Sequence, residues 1–127
     1  MPLRPGHAYV ARGDADILLS RRPGGLVALP APSLPAHRWH PSVDRLVDSA
    51  LQHMPPARLA GVLLTGMGND GAAAMARLHA AGGRTLAEAE ESAVIWGMPG
   101  ALVRGGGATQ VAPVEGMAAW LRHWVET

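Results

Sequence analysis

Hydrophobic and polar residues alternate in short runs near the start of the chain. The runs HAYVA (7–11), DILLS (16–20) and LVAL (26–29) are separated by the turn-forming stretches RGDA and RRPGG, which predicts three short strands in an antiparallel meander. The next stretch, from Pro30 to Pro41, reads PAPSLPAHRWHP. It contains too much proline for regular structure, so we expect an extended connector there.

A helical spacing of apolar residues begins after this connector. Pro41 suits the first turn of a helix, Pro55 and Pro56 end it, and the face between them is apolar, with Val43, Leu46, Val47, Ala50 and Leu51. The pattern then continues as strand GVLLT, helix AAAMARLHAA, strand RTLAE, a helix around SAVIWGMPGALV, strand TQVA and a last helix that Pro113 opens. This alternation predicts βαβ units around a mostly parallel sheet.

The strand GVLLT also indicates how the sheet is covered. Its apolar residues are consecutive rather than alternating, which is typical of a sheet with helices on both faces. With 127 residues, 48% of them hydrophobic, the chain is long enough for one domain with a real core and too short for two. The sequence therefore predicts a single α/β unit that also carries an antiparallel meander.

Composition narrows the classes of function. The net charge is +1 and no basic cluster extends beyond Arg21 and Arg22, so nothing indicates nucleic-acid binding. The chain has no cysteine, which excludes a disulfide framework, a thiolate metal site and a cysteine nucleophile. Its apolar runs are far shorter than a membrane span, and prolines interrupt MPLRPGHAYV where a signal peptide needs a continuous apolar region. We expect a cytoplasmic protein with no membrane segment.

The loop after GVLLT is the main candidate for a functional site. Gly66, Gly68 and Gly71 match the G-x-G-x-x-G spacing of a dinucleotide-binding loop, and Glu88 ends the next strand where a ribose-binding acid is expected. Asp70 lies inside the same loop, where its carboxylate would repel a pyrophosphate or cap the following helix. Because α/β proteins place their chemistry at the carboxyl ends of parallel strands, Asp70 is also a candidate acid for orienting a histidine. Dinucleotide binding stays open as an alternative.

The motif GVLLTGMGNDGAAAM resembles the catalytic-aspartate motif of the chemotaxis protein-glutamate methylesterases, the CheB-type response-regulator esterases. The blocks PGHAYVARGD, HPSVDRLVDSA, AGGRTLAEAEESAVIWGMP and QVAPVEGMAAWL are similar to successive parts of that family's catalytic domain, in the same order. The likeness covers almost the whole chain, and TGMGNDG followed by a downstream GMP is a specific combination.

This resemblance implies a three-layer α/β/α fold with a mostly parallel sheet and a hydrolase of the Ser-His-Asp type. Asp70 would be the acid of the triad, and Met67, Gly66, Gly68 and Asn69 would line the active site in the same loop. The implied reaction is hydrolysis of glutamate methyl esters on methyl-accepting chemoreceptors, with deamidation of selected glutamines, and it involves no metal and no cofactor. In such a triad the acid fixes the tautomer of the histidine and stabilises its charged form.

The serine and histidine blocks of the family are not found among these 127 residues. In the family the serine lies in a glycine-rich loop followed by a Q-H-M-P segment, whereas none of the serines at 20, 33, 42, 49 and 92 lies in a G-x-S-x-G turn. QHMPP at 52–56 has the lettering of the histidine motif, but it stands just before GVLLT, much later than the motif does in the family. We expect His53 to lie at a helix end beside the proline stop.

Two other groups of polar residues are interpreted as structural. His40, Ser42 and Asp44 cannot form a relay, because residues two apart on a helix do not face each other. His37 and His40 lack an evident acidic third ligand, so no metal site is predicted.

We therefore expect residues 1–127 to be the C-terminal portion of such a catalytic domain, with no receiver domain, that supplies Asp70 to a site completed from elsewhere. By itself the chain would be inactive. The missing leading strands would leave a sheet edge and apolar helix faces uncovered, which favours a homo-oligomer or a complementing N-terminal segment. The alternative from another class is a non-catalytic remnant that binds the receptor or another partner.

Overall fold

The strands form two separate sheets. The computed structural model describes residues 1–13 and 15–126. Strands β1 (Asp16–Arg22) and β2 (Gly25–Ala31) pair as an antiparallel hairpin, and β3 (Ala60–Leu63), β4 (Arg84–Glu88) and β5 (Gln110–Ala112) form a parallel sheet in that order. The helices are α1 (Val43–His53), α2 (Ala72–Ala80), α3 (Met98–Arg104) and α4 (Val114–Glu126), and a single 3₁₀ turn (Pro56–Arg58) precedes β3. The predicted α/β class is confirmed.

Helices cover both faces of the parallel sheet, as the consecutive apolar residues of its strands predict. Successive residues of a strand point to opposite faces, and in β4 Leu86 and Ala87 belong to two different clusters of the core. Ala87 packs with residues of β3, α2 and α3, namely Leu63, Met75, Leu78 and Leu102, and α1 adds Val43, Val47 and Leu51. On the other face, Leu86 packs against α4 through Met117, Trp120 and Trp124. The result is the three-layer arrangement expected from the sequence.

The predicted meander is wrong in its first strand. Residues 7–11 form no strand, and the position beside β2 is taken by the first three residues of the chain. Leu3 N donates to Leu26 O (2.9 Å) and Ala28 N donates to Met1 O (2.8 Å). The alternating pattern of HAYVA is therefore misleading, because among the described residues it is residues 1–3 that occupy the edge of β2 opposite β1.

Two predicted helix starts also move. Pro41 lies before α1 rather than in its first turn, because Ser42 is the N-cap residue and its side chain accepts a hydrogen bond from Arg45 N. The helix expected around SAVIWGMPGALV forms only over its second half, as α3, because residues 89–97 make a loop that is hydrogen bonded to Thr65 and Gly66, just after β3.

The parallel sheet has β3 at one edge and β5 at the other. Within residues 1–13 and 15–126, the outer side of β3 has no strand partner along its length. In the same part of the chain, none of the helices combines the length and apolar character needed to cross a membrane.

A buried acid joins the hairpin to α1. Asp16, at the start of β1, is 1% exposed, and its Oδ1 accepts hydrogen bonds from Ser42 N (2.8 Å) and His40 Nδ1 (3.2 Å). Its Oδ2 accepts one from Arg45 Nη1 at 2.6 Å. Burial by itself raises the pKa of Asp16, but the hydrogen bonds from Arg45, His40 and Ser42 N outweigh it and hold the pKa below the ordinary value of 3.8. Asp16 therefore fixes the start of α1 as a charged group.

Replacing Asp16 with alanine should destabilise the fold strongly, because it leaves the Arg45 guanidinium, only 14% exposed, without its carboxylate partner. We expect the free energy of unfolding to fall by about 3–5 kcal/mol in urea denaturation. The matched control is Asp48→Ala, which breaks an ion pair between the side chains of Asp48, 39% exposed, and Arg77, 55% exposed. The free energy of unfolding should fall by less than about 1 kcal/mol in this variant. Equal losses in the two variants would contradict the role assigned to burial.

The lowered pKa of Asp16 also predicts a pH dependence of stability. A group whose folded pKa is depressed contributes stability above its unfolded pKa and loses it as the pH falls through the folded pKa. The wild-type chain should therefore lose more unfolding free energy than Asp16→Asn as the pH falls from about 5 toward 2. Chemical denaturation at several pH values measures this difference. Parallel decreases in both proteins would show that Asp16 titrates alike in the folded and unfolded states.

Candidate active site

The loop 64–71 leaves the carboxyl end of β3 and leads directly into α2. Two of its glycines have backbone angles that favour glycine, with φ of +89° at Gly68 and +90° at Gly71. A Cβ at Gly71 would lie 2.7 Å from Cγ1 of Val43 and 3.0 Å from Cδ1 of Leu63. At Gly68 a Cβ would lie 3.2 Å from Nε1 of Trp39. Glycine thus lets this loop lie close to both α1 and the connector that precedes α1.

Hydrogen bonds join this loop to the one that follows β4. Gly66 N donates to Ile95 O (3.0 Å), and Gly66 O accepts from Gly97 N (3.0 Å) and Met98 N (2.9 Å). The hydroxyl of Thr65 donates to Ile95 O and accepts from Ile95 N at 3.0 and 2.8 Å. Because these bonds join residues about 30 positions apart in sequence, they connect the two loops into one rim at the carboxyl edge of the sheet.

Glu88 strengthens this rim from the end of β4. It is 3% exposed, and its Oε1 accepts from Thr65 N while its Oε2 accepts from Ser92 Oγ, both at 2.8 Å. Ser92 Oγ also accepts from Val114 N, the first residue of α4, at 3.0 Å. The backbone oxygen of Glu88 accepts from Trp96 Nε1 at 2.7 Å. The carboxylate of Glu88 therefore links the end of β4 to the loop after β3 and to the loop 89–97.

Asp70 points to α1 and does not cap its own helix. Its side chain is 8% exposed, and Oδ2 accepts from Val43 N at 2.7 Å while Oδ1 accepts from Asp44 N at 3.1 Å. Ser42 Oγ donates to the same Oδ1 at 3.4 Å. The N-cap position of α2 is Gly71, which has no side chain to offer. The expectation that Asp70 caps the helix that follows it is wrong, because the free N–H groups of α1 lie within its reach.

Asp44 makes the reciprocal contact. Its Oδ1 accepts a hydrogen bond from Ala74 N, in the first turn of α2, at 3.0 Å. Asp70, in the loop that leads into α2, therefore binds the start of α1, and Asp44, in the first turn of α1, binds the start of α2. We call this arrangement of Asp44, Asp70 and the two helix N-termini the reciprocal cap.

These contacts argue against the dinucleotide alternative. A bound pyrophosphate needs the N–H groups at the start of α2, but Ala74 N already binds a carboxylate and Ala72 N binds Asn69 O at 3.2 Å. A ribose would need Glu88, whose two carboxylate oxygens bind Thr65 and Ser92. The glycine spacing of the loop serves close packing of the backbone.

No imidazole of the described residues is hydrogen bonded to Asp70. His37 Nδ1 lies 3.5 Å from Ser42 Oγ, which in turn lies 3.4 Å from Asp70 Oδ1. This arrangement places the serine between the histidine and the acid, whereas a triad needs the histidine in the middle. Ser42 is also 1% exposed and caps α1 through Arg45 N, so its hydroxyl is structural.

His53 lies at the opposite end of α1 from Asp70. It is the last residue of the helix, about 15 Å along the axis from Val43 at the usual rise per residue. Its backbone oxygen accepts from Arg21 Nη2 at 2.7 Å. The QHMPP segment is therefore a helix end, as the sequence predicts, and it is not part of the rim.

The other residues of the predicted site surround Asp70 in the loop. Met67 is 64% exposed, and Asn69 is also exposed. Gly66 and Gly68 make the close backbone contacts described above. His40, which the sequence analysis paired with His37, binds Asp16 instead. Among the residues that the structure describes, no cluster of histidine and acidic side chains could hold a metal ion.

Ser42, Asp44 and Glu88 have structural roles in or near the site that the sequence pattern did not predict. Ser42 and Asp44 do carry a local signal, since a serine N-cap followed by an acid in the first turn is typical of a helix start. Nothing in the spacing shows that Asp44 also serves α2, because its partner Ala74 is 30 residues away in sequence. Glu88 has the distance along the chain expected of a ribose-binding acid, but sequence distance does not reveal its contacts with Thr65 and Ser92.

Comparison with known proteins decides the family. The model of the CheB methylesterase family matches residues 1–121. The chain belongs to the CheB methylesterase family. A curated relative from Rhodopseudomonas palustris, protein-glutamate methylesterase/protein-glutamine glutaminase 2, is 61% identical over 122 residues, which are 96% of this chain and 33% of the relative. A relative from Rhodospirillum rubrum with the same activities in its name is 54% identical over 125 residues, 98% of this chain and 34% of that protein.

A solved structure agrees with this assignment. The crystal structure of the CheB methylesterase catalytic domain of Thermotoga maritima superposes with a TM-score of 0.81 at 30% sequence identity. The match covers 89% of this chain and 59% of that domain. The resemblance inferred from TGMGNDG and the flanking blocks is therefore confirmed, and the chain spans about a third of the length of the curated relatives that it matches.

The packing around Gly71 can be tested by a pair of alanine substitutions. Gly71 and Gly82 both have positive φ, +90° and +100°, but a Cβ at Gly82 meets nothing within 4 Å. Gly82→Ala should therefore cost only the backbone strain, about 1–2 kcal/mol of unfolding free energy. Gly71→Ala should cost about 1–3 kcal/mol more, because its methyl group displaces Val43 and Leu63. Urea denaturation of both variants measures the difference, and equal costs would contradict the close packing of the loop on α1.

Proposed function

We propose that this chain forms the acid-bearing part of a CheB catalytic domain and that Asp70 is the acid of a Ser-His-Asp triad. The reaction proposed is hydrolysis of protein glutamate methyl esters and of selected glutamine side chains. The R. palustris and R. rubrum relatives are named for these two activities. The serine and the histidine come from sequence outside residues 1–127.

The observation that carries the proposal is the direction and partial occupancy of the Asp70 carboxylate. A carboxylate has about four acceptor positions, and three are used here: two on Oδ1, by Asp44 N and Ser42 Oγ, and one on Oδ2, by Val43 N. Counting the residues that the structure describes, one acceptor position stays unused on Oδ2, in a loop at the carboxyl edge of the parallel sheet. An acid held in this way can accept the Nδ1–H of an imidazole without moving.

In the proposed mechanism Asp70 holds the histidine so that its other nitrogen accepts a proton from the serine hydroxyl. The serine oxygen bonds to the ester carbonyl carbon, the bond to the methoxy group breaks, and the histidine returns its proton to the leaving methanol. Water then attacks the acyl-serine by the same route and releases the glutamate carboxylate. With a glutamine substrate the leaving group is ammonia. Asp70 stabilises the imidazolium in each step and is not itself protonated.

Met67, Gly66, Gly68 and Asn69 are proposed to line this site. Support comes from their place in the loop of Asp70 and from the exposure of Met67 and Asn69 toward solvent. The proposed substrate is a methyl-accepting chemoreceptor, and the proposed location is the cytoplasm. Among the described residues, β3 has no strand partner on its outer side, and Leu64 beside it is 47% exposed. Both features favour packing of a further segment of the catalytic domain, or of a second copy of the chain, against this edge.

One observation favours a second candidate, a non-catalytic protein that binds a receptor or another partner. Every contact of Asp70 among the described residues is a structural one, so a helix cap alone would explain a buried acid at this place. The two candidates differ in what the loss of the Asp70 charge does to activity.

The test is a hybrid protein in which this chain replaces the matching third of the R. palustris methylesterase. The hybrid should release methanol from a methylated chemoreceptor, and Asp70→Asn should lower kcat by about 10⁴-fold, as expected when the acid of a triad is lost. Asp48→Asn, on the exposed side of α1, is the matched control and should leave kcat unchanged.

Unfolding curves of the same hybrids separate the chemistry from stability. Asparagine keeps one acceptor oxygen for the N–H groups of α1 but places its NH2 group against the other N–H, so Asp70→Asn should be less stable, and kcat is compared at a temperature where the unfolding curve shows it folded. A folded Asp70→Asn hybrid that keeps its kcat would overturn the role of Asp70, and a folded wild-type hybrid that releases no methanol would favour the non-catalytic binding protein.

A further inference from the structure

We propose that Asp44 is a positioning residue for Asp70, and that the reciprocal cap sets the direction of the free acceptor position on Asp70 Oδ2. This inference rests on the proposed function of Asp70. It assigns to the first turn of α1 a role in the proposed reaction, through Asp70, which lies 26 residues further along the chain.

The first step of the argument is that α2 depends on Asp44 for a side-chain cap. A helix N-terminus leaves backbone N–H groups without partners, which side chains normally satisfy. The N-cap residue of α2 is Gly71, and it makes no side-chain hydrogen bond. A larger residue is excluded there by Val43 and Leu63. The carboxylate that binds α2 therefore has to come from outside the helix, and Asp44 Oδ1 supplies it at 3.0 Å from Ala74 N.

The second step is that the start of α2 holds Asp70. Asp70 is two residues before the helix, and Gly71 O accepts from Met75 N at 2.9 Å, so the turn that carries Asp70 continues into the first helical turn. If Ala74 N loses its partner, this turn is free to shift relative to α1. The distances from Asp70 to Val43 N and Asp44 N, 2.7 and 3.1 Å, are then no longer fixed from both sides.

The third step concerns what such a shift does to a triad. An acid that orients an imidazole must keep its geometry within about 0.5 Å and 10–20°. Displacements of about 1 Å from substitutions away from the reacting atoms can cost up to about 100-fold in rate. The reciprocal cap is the arrangement that restricts both the position and the rotation of the Asp70 carboxylate, since Asp44 contributes its backbone N–H to Asp70 and its carboxylate to α2.

Other links between α1 and α2 do not have this property. Asp48 is one turn further along α1 and binds Arg77 of α2 through Nε at 3.0 Å and Nη2 at 2.7 Å. This pair joins the same two helices on their exposed side and contacts neither helix start. Asp48→Ala therefore removes a contact between α1 and α2 but leaves the reciprocal cap intact, which makes it the matched control.

The experiment measures kcat, KM and the pH profile of kcat/KM in the hybrid methylesterase that carries this chain. Asp44→Ala should lower kcat by 10-fold or more, up to about 100-fold, with KM nearly unchanged. It should also move the acidic limb of the profile to lower pH, because a misplaced acid stabilises the imidazolium less well. Asp44→Asn should restore both quantities, since its Oδ1 can accept from Ala74 N. Asp48→Ala should leave both at the wild-type values.

The pH profile separates positioning from a merely structural role. A less stable protein has a smaller folded fraction, which lowers the rate; because the lowered pKa of Asp16 makes the fold less stable in acid, partial unfolding moves the acidic limb to higher pH, opposite to the shift expected from misplacement of Asp70. If Asp44→Ala does not fold, Asp44→Glu replaces it, because the added methylene displaces the carboxylate from Ala74 N while keeping its charge. The same shift of the limb is expected.

Three results would overturn the proposal. They are a wild-type profile in folded Asp44→Ala or Asp44→Glu, a loss that Asp44→Asn does not restore, and an equal shift in Asp48→Ala. Asp70→Asn, measured beside them, distinguishes the two levels of the argument. If it abolishes activity while the Asp44 variants keep the wild-type profile, only the positioning role fails; if it leaves activity unchanged, the proposed function fails as well.

Discussion

The bond between the carboxylate of Asp70 and the first N–H groups of α1 is the interaction on which the rest of the site depends. A buried carboxylate is costly unless hydrogen bonds replace its water, and a helix start is costly unless its N–H groups find acceptors. Here one contact meets both needs. Because the acid belongs to the loop after β3 and the N–H groups belong to the helix before it, the contact also fixes how these two segments lie against each other.

The rim of the sheet shows how a glycine-rich loop can serve a purpose other than phosphate binding. In a nucleotide site, glycines bring the backbone close to a ligand. In this chain they bring it close to α1, Trp39 and the neighbouring loop, and the groups that a nucleotide would need are already bonded within the protein. Hydrogen bonds within the protein thus connect the backbone of the rim to its neighbours.

The sequence predicted the elements whose signals are local. The apolar run of β3, the amphipathic α1 and the alternation after it were sufficient for the α/β class, and TGMGNDG was sufficient for the family. The failures involve partners far away in sequence. HAYVA has the pattern of a strand, but residues 1–3 lie beside β2 instead. Glu88 has the spacing of a ribose-binding acid, but its carboxylate binds Thr65 N. The direction of Asp70 could not be predicted because spacing does not reveal which helix end lies nearest in space.

The contact between Asp16 and the start of α1 has a consequence for protein engineering. The loop 66–71 looks like a self-contained motif, but α1 fixes the direction of its acid. The helix is in turn held by Asp16 of the hairpin, which lies 29 residues before its ion-pair partner Arg45. Grafting the six residues of that loop onto another α/β scaffold would transfer the sequence without the contacts with α1 that orient Asp70. The smallest transferable module runs from the hairpin through α2, roughly half of the chain.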